Sequence, residues 1–185
     1  MAEFETRTER NQKSRSRGRE IRSWIICILI AVVIALLLRT FVFEIVRVDG
    51  QSMEPTLHSD QHVFVEKVTR YFNGIDRGNI VITKYPGYGD LYVKRVIALG
   101  GDTIEVKGGS VFVNGAKVEE SYIAEPIEYE FDQITIPENY VFVMGDNRNH
   151  STDSHIIGAI EESNIVGHAL FVIWPLDEWE LLTGK

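Results

Sequence analysis

An uncharged run of 15 residues, WIICILIAVVIALLL at positions 24–38, limits what this chain can fold into more than any other feature. As an α-helix the run covers about 22 Å, which falls short of the ~30 Å hydrocarbon core of a bilayer. Its apolar flanks add the missing length if Arg22 and Arg39 extend their charged ends toward the two interfaces. A helix that is apolar on every face and adjoins a basic segment fits a core position poorly. We therefore predict a transmembrane helix over residues 23–43.

The charges that flank this run are distributed unequally. Residues 1–22 carry seven basic and four acidic side chains, a net charge of +3, whereas the whole chain has a net charge of −8. Because basic flanks stay on the cytoplasmic side, we expect a cytoplasmic arm over residues 1–22 and an extracytoplasmic body over residues 44–185. A cleaved secretory signal would end in small residues, but bulky and charged residues (RTFVFE) follow the run at 39–44. The segment is therefore interpreted as an uncleaved anchor.

Short runs of branched and aromatic residues dominate the chain after residue 44, as is typical of β-strands. They are VFVEKV (63–68), NIVITKY (79–85), LYVKRVIAL (91–99), TIEVKG (103–108), SVFVNGAKV (110–118), YVFVMGD (140–146) and HALFVIWP (168–175). Gly108-Gly109 and Asn114-Gly115 are hairpin signals, and the second pair is favoured in type I′ turns. We predict a mostly β fold, with one antiparallel β domain that is bent or partly closed and an N-terminal transmembrane helix.

One serine lacks the usual partners for nucleophilic chemistry. Ser52 lies in GQSMEPTL at 50–57, with no aspartate–histidine arrangement upstream of it. In LYVKRVIAL, strand alternation puts Lys94 and Arg95 on opposite faces, so one of them must face the apolar side of a sheet. Burial would lower a lysine pKa from about 10.4 to near 7, and such an amine can take a proton from a serine hydroxyl. An exposed Lys-Arg pair on an edge strand is the alternative.

A polar loop, GDNRNHSTDSH at residues 145–155, directly follows an apolar strand. It holds more polar side chains than a connection needs, which indicates a hydrogen-bonded network. A solvated loop closed by Asx and Ser/Thr turns explains this stretch equally well when it is considered alone.

Four motifs together resemble those of the bacterial, membrane-bound type I signal peptidases. GQSMEPTL at 50–57 matches the serine box, and YVKRVIALGGD at 92–102 matches the lysine box. RGNIVI at 77–82 and MGDNRNHSTDS at 144–154 match the other two boxes. The boxes follow an N-terminal anchor in the order of the family, and the resemblance extends from residue 21 to about residue 158.

The resemblance implies a serine–lysine dyad. Ser52 would attack the carbonyl carbon at the cleavage site, and neutral Lys94 would take the hydroxyl proton and later protonate the leaving amine. A serine of the last box, here Ser151, would hydrogen-bond the lysine amine and orient it, as an aspartate orients a histidine in triads. The other residues implied in this way brace the last box (Asp146, Arg148, Asp153), follow the nucleophile (Met53), or line the site and bind substrate (Tyr92, Val93, Val48).

The family cuts secreted precursors after a small-x-small pattern on the outer face of the membrane, so precursor proteins and the lipid bilayer are the expected partners. An extended peptide held along a sheet edge, with shallow pockets for small residues, would fit that specificity. With a net charge of −8 and no evident basic face, the sequence argues against nucleic acid as a partner. The five histidines show no metal-ligand spacing, and we expect no metal or cofactor.

Three positions depart from the family pattern. His155 replaces the arginine that ordinarily follows Asp-Ser, and because histidine is charged only in acid, we expect low pH to strengthen its pairing with Asp153. Gly101 replaces a proline, a change of little expected consequence. Gly50 replaces a serine that serves some relatives as an oxyanion donor, which leaves the backbone N–H of Ser52 as the one donor that the sequence identifies.

Several alternatives stay open on the residues alone. A repressor-type, self-cleaving protease also uses a Ser-Met motif and a lysine, but it is soluble, whereas this chain has an anchor. A histidine-based variant would need a histidine in place of Lys94. An aspartic mechanism by Asp146 and Asp153 would leave the Ser-Lys pair unexplained. From outside the enzymes, the alternative is a membrane-tethered β module that binds peptides without cleaving them.

Overall fold

The structure, a computed structural model, describes residues 7–182 except Asn73, so residues 1–6 of the predicted arm lie outside the described residues. Helix α1 (Arg7–Phe41) belongs to the first of two compact units into which the chain divides. Within the described part of the chain, Glu20–Phe41 is the one segment whose length and apolar composition suffice to cross a membrane. The helix therefore begins inside the predicted basic arm and contains most of the predicted span.

The second unit is built from short strands in two antiparallel sheets. The strands are β1 (Phe43–Arg47), β2 (His62–Glu66), β3 (Ile80–Lys84), β4 (Leu91–Leu99), β5 (Thr103–Lys107), β6 (Ser110–Val113), β7 (Ala116–Lys117), β8 (Phe131–Thr135), β9 (Tyr140–Met144), β10 (Ile160–Glu161), β11 (Ile165–Trp174) and β12 (Glu180–Leu181). The larger sheet has the order β1-β2-β11-β3-β4-β9-β10, with β12 paired to β11, and the smaller sheet has the order β7-β6-β5-β8. A short helix, α2 (Ser154–Ile157), follows β9.

The predicted fold class is confirmed, since the described body is mostly antiparallel β and follows an apolar N-terminal helix. The hairpin between β6 and β7 turns at Asn114 and Gly115, which have φ of +53° and +75°. Asparagine and glycine tolerate this left-handed region better than other residues, which is why the Asn-Gly pair predicted a turn there.

Four strands were not among the predicted runs: β1, β8 and the two-residue strands β10 and β12. β1 begins at Phe43, two residues after α1 ends, and the sequence analysis assigned Phe43 to the membrane span. β8 is FDQIT, whose side chains are partly or fully exposed and show little of the apolar alternation that predicts strands. The run at 110–118 is a hairpin of two short strands rather than one strand.

Strand β4 lies in the middle of the body, and both of its faces are covered. Six consecutive residues, 93–98, are buried. Val96, which alternation places on the face of Lys94, packs in a cluster with residues of β3 and β9, whereas Ile97 packs in a second cluster with residues of the smaller sheet. Alternation predicted that one of Lys94 and Arg95 would be buried, but the structure buries both, because a second layer covers the other face.

Candidate active site

The turn that carries Ser52 connects β1 to β2 and is anchored by apolar side chains. Met53 is 1% exposed and Leu57 is fully buried, and the Leu57 N–H donates to the Met53 carbonyl over 2.9 Å. Both side chains join the core cluster that lies beneath the turn. The hydroxyl of Ser52 is therefore presented from a backbone that is fixed on both sides, while the residue itself is only partly buried.

Strand β4 brings Lys94 to this serine. The Lys94 Nζ and Ser52 Oγ atoms lie 2.7 Å apart, although 42 positions separate the two residues in the sequence. Lys94 is 1% exposed, and burial lowers its pKa to about 8, against the opposing effect of the charges of Asp153 and Asp146. Loss of hydration destabilises the ammonium form more than those two carboxylates stabilise it. The direction is the one expected from the sequence, and the value lies above the expected 7.

The opposite face of β4 holds a charged network around Arg95. The Arg95 Nε and Nη2 atoms donate to the two carboxylate oxygens of Asp146 over 2.8 and 2.7 Å, and both side chains are almost fully buried. The hydroxyl of Thr56, in the same turn as Ser52, donates to Asp146 Oδ2 over 2.5 Å. Asp146 thus connects the lysine-bearing strand to the serine-bearing turn.

The polar loop after β9 lies directly against the nucleophile. The backbone N–H of Asn147 donates to the Ser52 carbonyl, and its side-chain amide donates to the Gln51 carbonyl, each over 3.1 Å. Gly145 permits this approach, because a Cβ there would lie 2.3 Å from both the Ser52 carbonyl oxygen and Ser151 Oγ. Any side chain at position 145 would push the loop away from Ser52.

Ser151 and Asp153 occupy the interior of this loop. Ser151 is 8% exposed, and its Oγ has no hydrogen-bond partner among the described residues, so the expected bond to the Lys94 amine is not formed here. Asp153 Oδ2 accepts the Gly145 N–H over 2.9 Å. Asp153 Oδ1 lies within hydrogen-bond distance of His155 Nδ1, and the His155 ring stacks on Tyr129 at 4.0 Å between centroids. His155 therefore does contact Asp153, as expected for the residue in the arginine position.

The remaining predicted site residues have mainly packing contacts. Tyr92 stacks on Tyr85, with 4.3 Å between ring centroids. Val48 and Val93 are 3% and 9% exposed and belong to the same core cluster as Met53, beneath the serine turn. Contact between substrate and these two valines remains a prediction. Arg148 is buried, and its Nε donates to the Gly145 carbonyl over 3.0 Å. Its role in bracing the loop remains a prediction.

Sequence reasoning missed several residues that hold the site together. Thr56, Arg95 and Asn147 lie inside the matched motifs, and their polar character within otherwise apolar or turn-forming stretches was the available signal. Glu120 and Tyr122 lie in a stretch without regular pattern, 120–140, and nothing in the sequence pointed to them.

The arrangement can carry out nucleophilic catalysis without a histidine. A partly buried hydroxyl contacts an amine whose pKa is low enough for a useful neutral fraction at neutral pH. Asp146 connects the strand that carries the amine to the turn that carries the hydroxyl. These are the requirements for a serine activated by a general base.

Comparisons with known proteins identify the family of this chain. The family described as "Signal peptidase, peptidase S26" matches residues 21–174. Probable signal peptidase I-1 of Synechocystis sp. is 43% identical over 82% of this chain and 82% of its own length. Signal peptidase I S of Bacillus subtilis is 41% identical over 88% of this chain and 94% of its own. A solved signal peptidase I of Enterococcus faecalis is 28% identical, with a TM-score of 0.48 over 51% of this chain and 95% of that one. The sequence matches show that this chain belongs to the signal peptidase family, peptidase S26.

Proposed function

We propose that this protein is a membrane-anchored serine endopeptidase that removes signal peptides from exported precursor proteins. The observation that carries the proposal is the 2.7 Å contact between Ser52 Oγ and a Lys94 amine that is almost fully buried. A lysine without a function at that position would be strongly disfavoured by the loss of its hydration. Membership of the signal peptidase family supplies the substrate class.

In the proposed reaction, neutral Lys94 accepts the hydroxyl proton as Ser52 Oγ bonds to the carbonyl carbon of the scissile peptide. The backbone N–H of Ser52 is proposed to donate to the developing oxyanion. The resulting lysinium protonates the leaving amine, which departs as the new N-terminus of the mature protein. Lys94, again neutral, then takes a proton from the water that hydrolyses the acyl-enzyme. With a pKa of about 8, roughly one Lys94 in ten is neutral at pH 7.

The proposed topology places residues 23–43 in the cell membrane as a single span, with the basic arm 1–22 in the cytoplasm and residues 44–185 on the outer face. Its support is the apolar segment Glu20–Phe41 and the excess of positive charge before it. A signal peptide inserted in the same membrane would then present its C-terminal end on the side of the catalytic domain. Its small-x-small residues would bind as an extended strand with shallow pockets.

The proposal is tested by following cleavage of a precursor with an Ala-x-Ala site by detergent-solubilised protein. We expect wild type to release the mature protein, and Ser52→Ala and Lys94→Ala each to lose nearly all activity. Ser110→Ala and Lys84→Ala, which change the same residue types on β6 and β3, are matched controls and should retain it. Cleavage by Lys94→Ala at a rate near that of wild type would rule out lysine as the base.

A further inference from the structure

The segment between β7 and β8 contains a strap, residues 119–128, that is held to the loop after β9 by side chains rather than by strand pairing. At one end, Glu120 Oε1 accepts Arg148 Nη2 over 2.6 Å and the Tyr122 hydroxyl over 3.0 Å. The Glu120 and Arg148 side chains are 4% and 1% exposed. At the other end, the Glu128 N–H donates to the amide oxygen of Asn149 over 2.9 Å. The strap is thus attached to the same loop at both ends.

Tyr122 places the strap against both buried arginines of the site. Its ring centroid lies 3.9 Å from the guanidinium carbon of Arg95 and 5.8 Å from that of Arg148. Attraction between a guanidinium and a ring face strengthens where water is excluded. Each arginine also has its own carboxylate, Asp146 for Arg95 and Glu120 for Arg148. The strap therefore completes the environment of both cations.

The groups that the strap contacts are connected by further hydrogen bonds to the turn that carries Ser52. Arg95 holds Asp146, which accepts the Thr56 hydroxyl from the serine turn. Arg148 donates to the carbonyl of Gly145, where the loop lies too close to Ser52 to admit a side chain. A displacement of this loop by a fraction of an ångström would move the backbone contact with Ser52, and misplacement of about 1 Å can reduce rate about 100-fold.

We propose that Glu120 and Tyr122 are positioning residues for the peptidase reaction, which fix the loop 145–149 against the turn that carries Ser52. This inference rests on the proposed function. Since the two residues act through the loop and touch neither Ser52 nor Lys94, their loss lowers kcat and leaves KM nearly unchanged.

The test measures kcat and KM on the Ala-x-Ala precursor at a temperature well below the Tm of each variant. We expect Tyr122→Leu to lower kcat about 10- to 100-fold with KM within about twofold. Tyr122→Phe, which keeps the ring over Arg95, should restore most of the rate. Glu120→Gln should resemble Tyr122→Leu, and Glu119→Gln, an exposed neighbour, should match wild type.

Folded Tyr122→Leu and Glu120→Gln proteins with wild-type kcat would overturn the inference. If Glu120→Gln does not fold, Glu120→Asp, which keeps the charge but is one methylene shorter, takes its place, and Tyr122→Leu still decides the outcome. Wild type must cleave and Ser52→Ala must not, which is the test of the proposed function. Failure of the strap inference is therefore distinguishable from failure of the proposed function. In the first case wild type and the strap variants are equally active, and in the second case wild type does not cleave the precursor.

Discussion

The two faces of β4 bury two neighbouring cations, Lys94 and Arg95, against different kinds of partner. Lys94 is 1% exposed and Arg95 is 2% exposed, so both side chains have lost their water. Arg95 is compensated by both oxygens of Asp146, and it also contacts a backbone carbonyl at Gly78. The hydrogen-bond partner of Lys94 is the neutral hydroxyl of Ser52, and burial lowers the lysine pKa to about 8.

The comparison shows that burial alone does not produce a base. A buried cation with a well-aligned carboxylate keeps its charge and becomes structural, whereas one without that carboxylate gives up its proton more readily. In this protein Asp146 also accepts the Thr56 hydroxyl, so the compensated pair is connected to the turn that carries Ser52.

The largest effect is expected from removing the carboxylate that pairs with Arg95. Asp146→Asn removes the charge that neutralises Arg95, and breaking one partner of a buried pair costs about 3–5 kcal/mol. We expect the free energy of unfolding of the detergent-solubilised protein to fall by that amount in urea titrations. Asp132→Asn, on an exposed strand, is the control and should change stability by less than about 0.5 kcal/mol. Equal stability of the two variants would show that Arg95 does not depend on Asp146.

Replacing Lys94, the buried cation without a paired carboxylate, should instead raise the free energy of unfolding. Because the folded pKa of Lys94 is about 8 and the reference value is 10.5, the ammonium form costs about 3 kcal/mol at 1.36 kcal/mol per unit. This cost is fully present below pH 8 and disappears as pH rises through 10.5, since the folded state then no longer binds fewer protons than the unfolded state. We expect Lys94→Met to raise the free energy of unfolding at pH 7, with a gain that shrinks above pH 8.

The exposed control for this prediction is Lys84→Met on β3, whose free energy of unfolding should not exceed that of wild type at pH 7 or at pH 11. A Lys94→Met gain that persists unchanged at pH 11 would mean that better packing, rather than removal of a charge, caused it.

A smaller effect is expected at the connection between the two faces. Thr56→Val keeps the shape of the side chain but removes the hydrogen bond to Asp146, and a hydrogen bond to a charged group contributes about 2 kcal/mol. We expect the free energy of unfolding and kcat both to decrease, with Thr135→Val on β8 as an exposed control. Loss of stability without loss of kcat would separate the charged network from the nucleophile.

The smallest expected effect concerns Asp153, whose charge opposes the lowering of the Lys94 pKa. His155 contacts Asp153, and His155→Arg would give that carboxylate a permanently charged partner. We expect a gain in thermal stability at high pH equivalent to about 1 kcal/mol or less, and a small shift of the acid limb of the rate profile to lower pH. No gain in Tm at high pH would mean that the histidine serves Asp153 as well as an arginine does.

Much of this arrangement was accessible from the sequence. The Ser52 and Lys94 pair followed from two motifs and a family resemblance, and the strands around them followed from branched residues and turn signals. Strand alternation gave the two faces of β4 correctly, but it does not reveal how many layers cover a sheet. The guanidinium of Arg95 is buried among Asp146, the Gly78 carbonyl and the Tyr122 ring, and these groups are distant from Arg95 in the sequence.

The strap could not have been predicted for a similar reason. Glu120 and Tyr122 have neither helical nor strand periodicity around them, and their contacts are made by single side chains to Arg95 and Arg148. The hydrogen bond between Ser151 and Lys94, by contrast, was predicted but is not formed. The motif brought Ser151 into the interior beside Gly145, yet its Oγ has no partner among the described residues, because motif spacing does not determine the side-chain rotamer.

The most direct test of the account is a titration of Lys94 itself. Protein labelled with 13C at the lysine Cε would be titrated by NMR in detergent, with Lys94→Met to assign the signal. We predict that one lysine signal, absent from the variant, titrates with a midpoint near pH 8. A midpoint near the ordinary lysine value of about 10.4 would contradict the claim that burial without a paired carboxylate makes Lys94 the base.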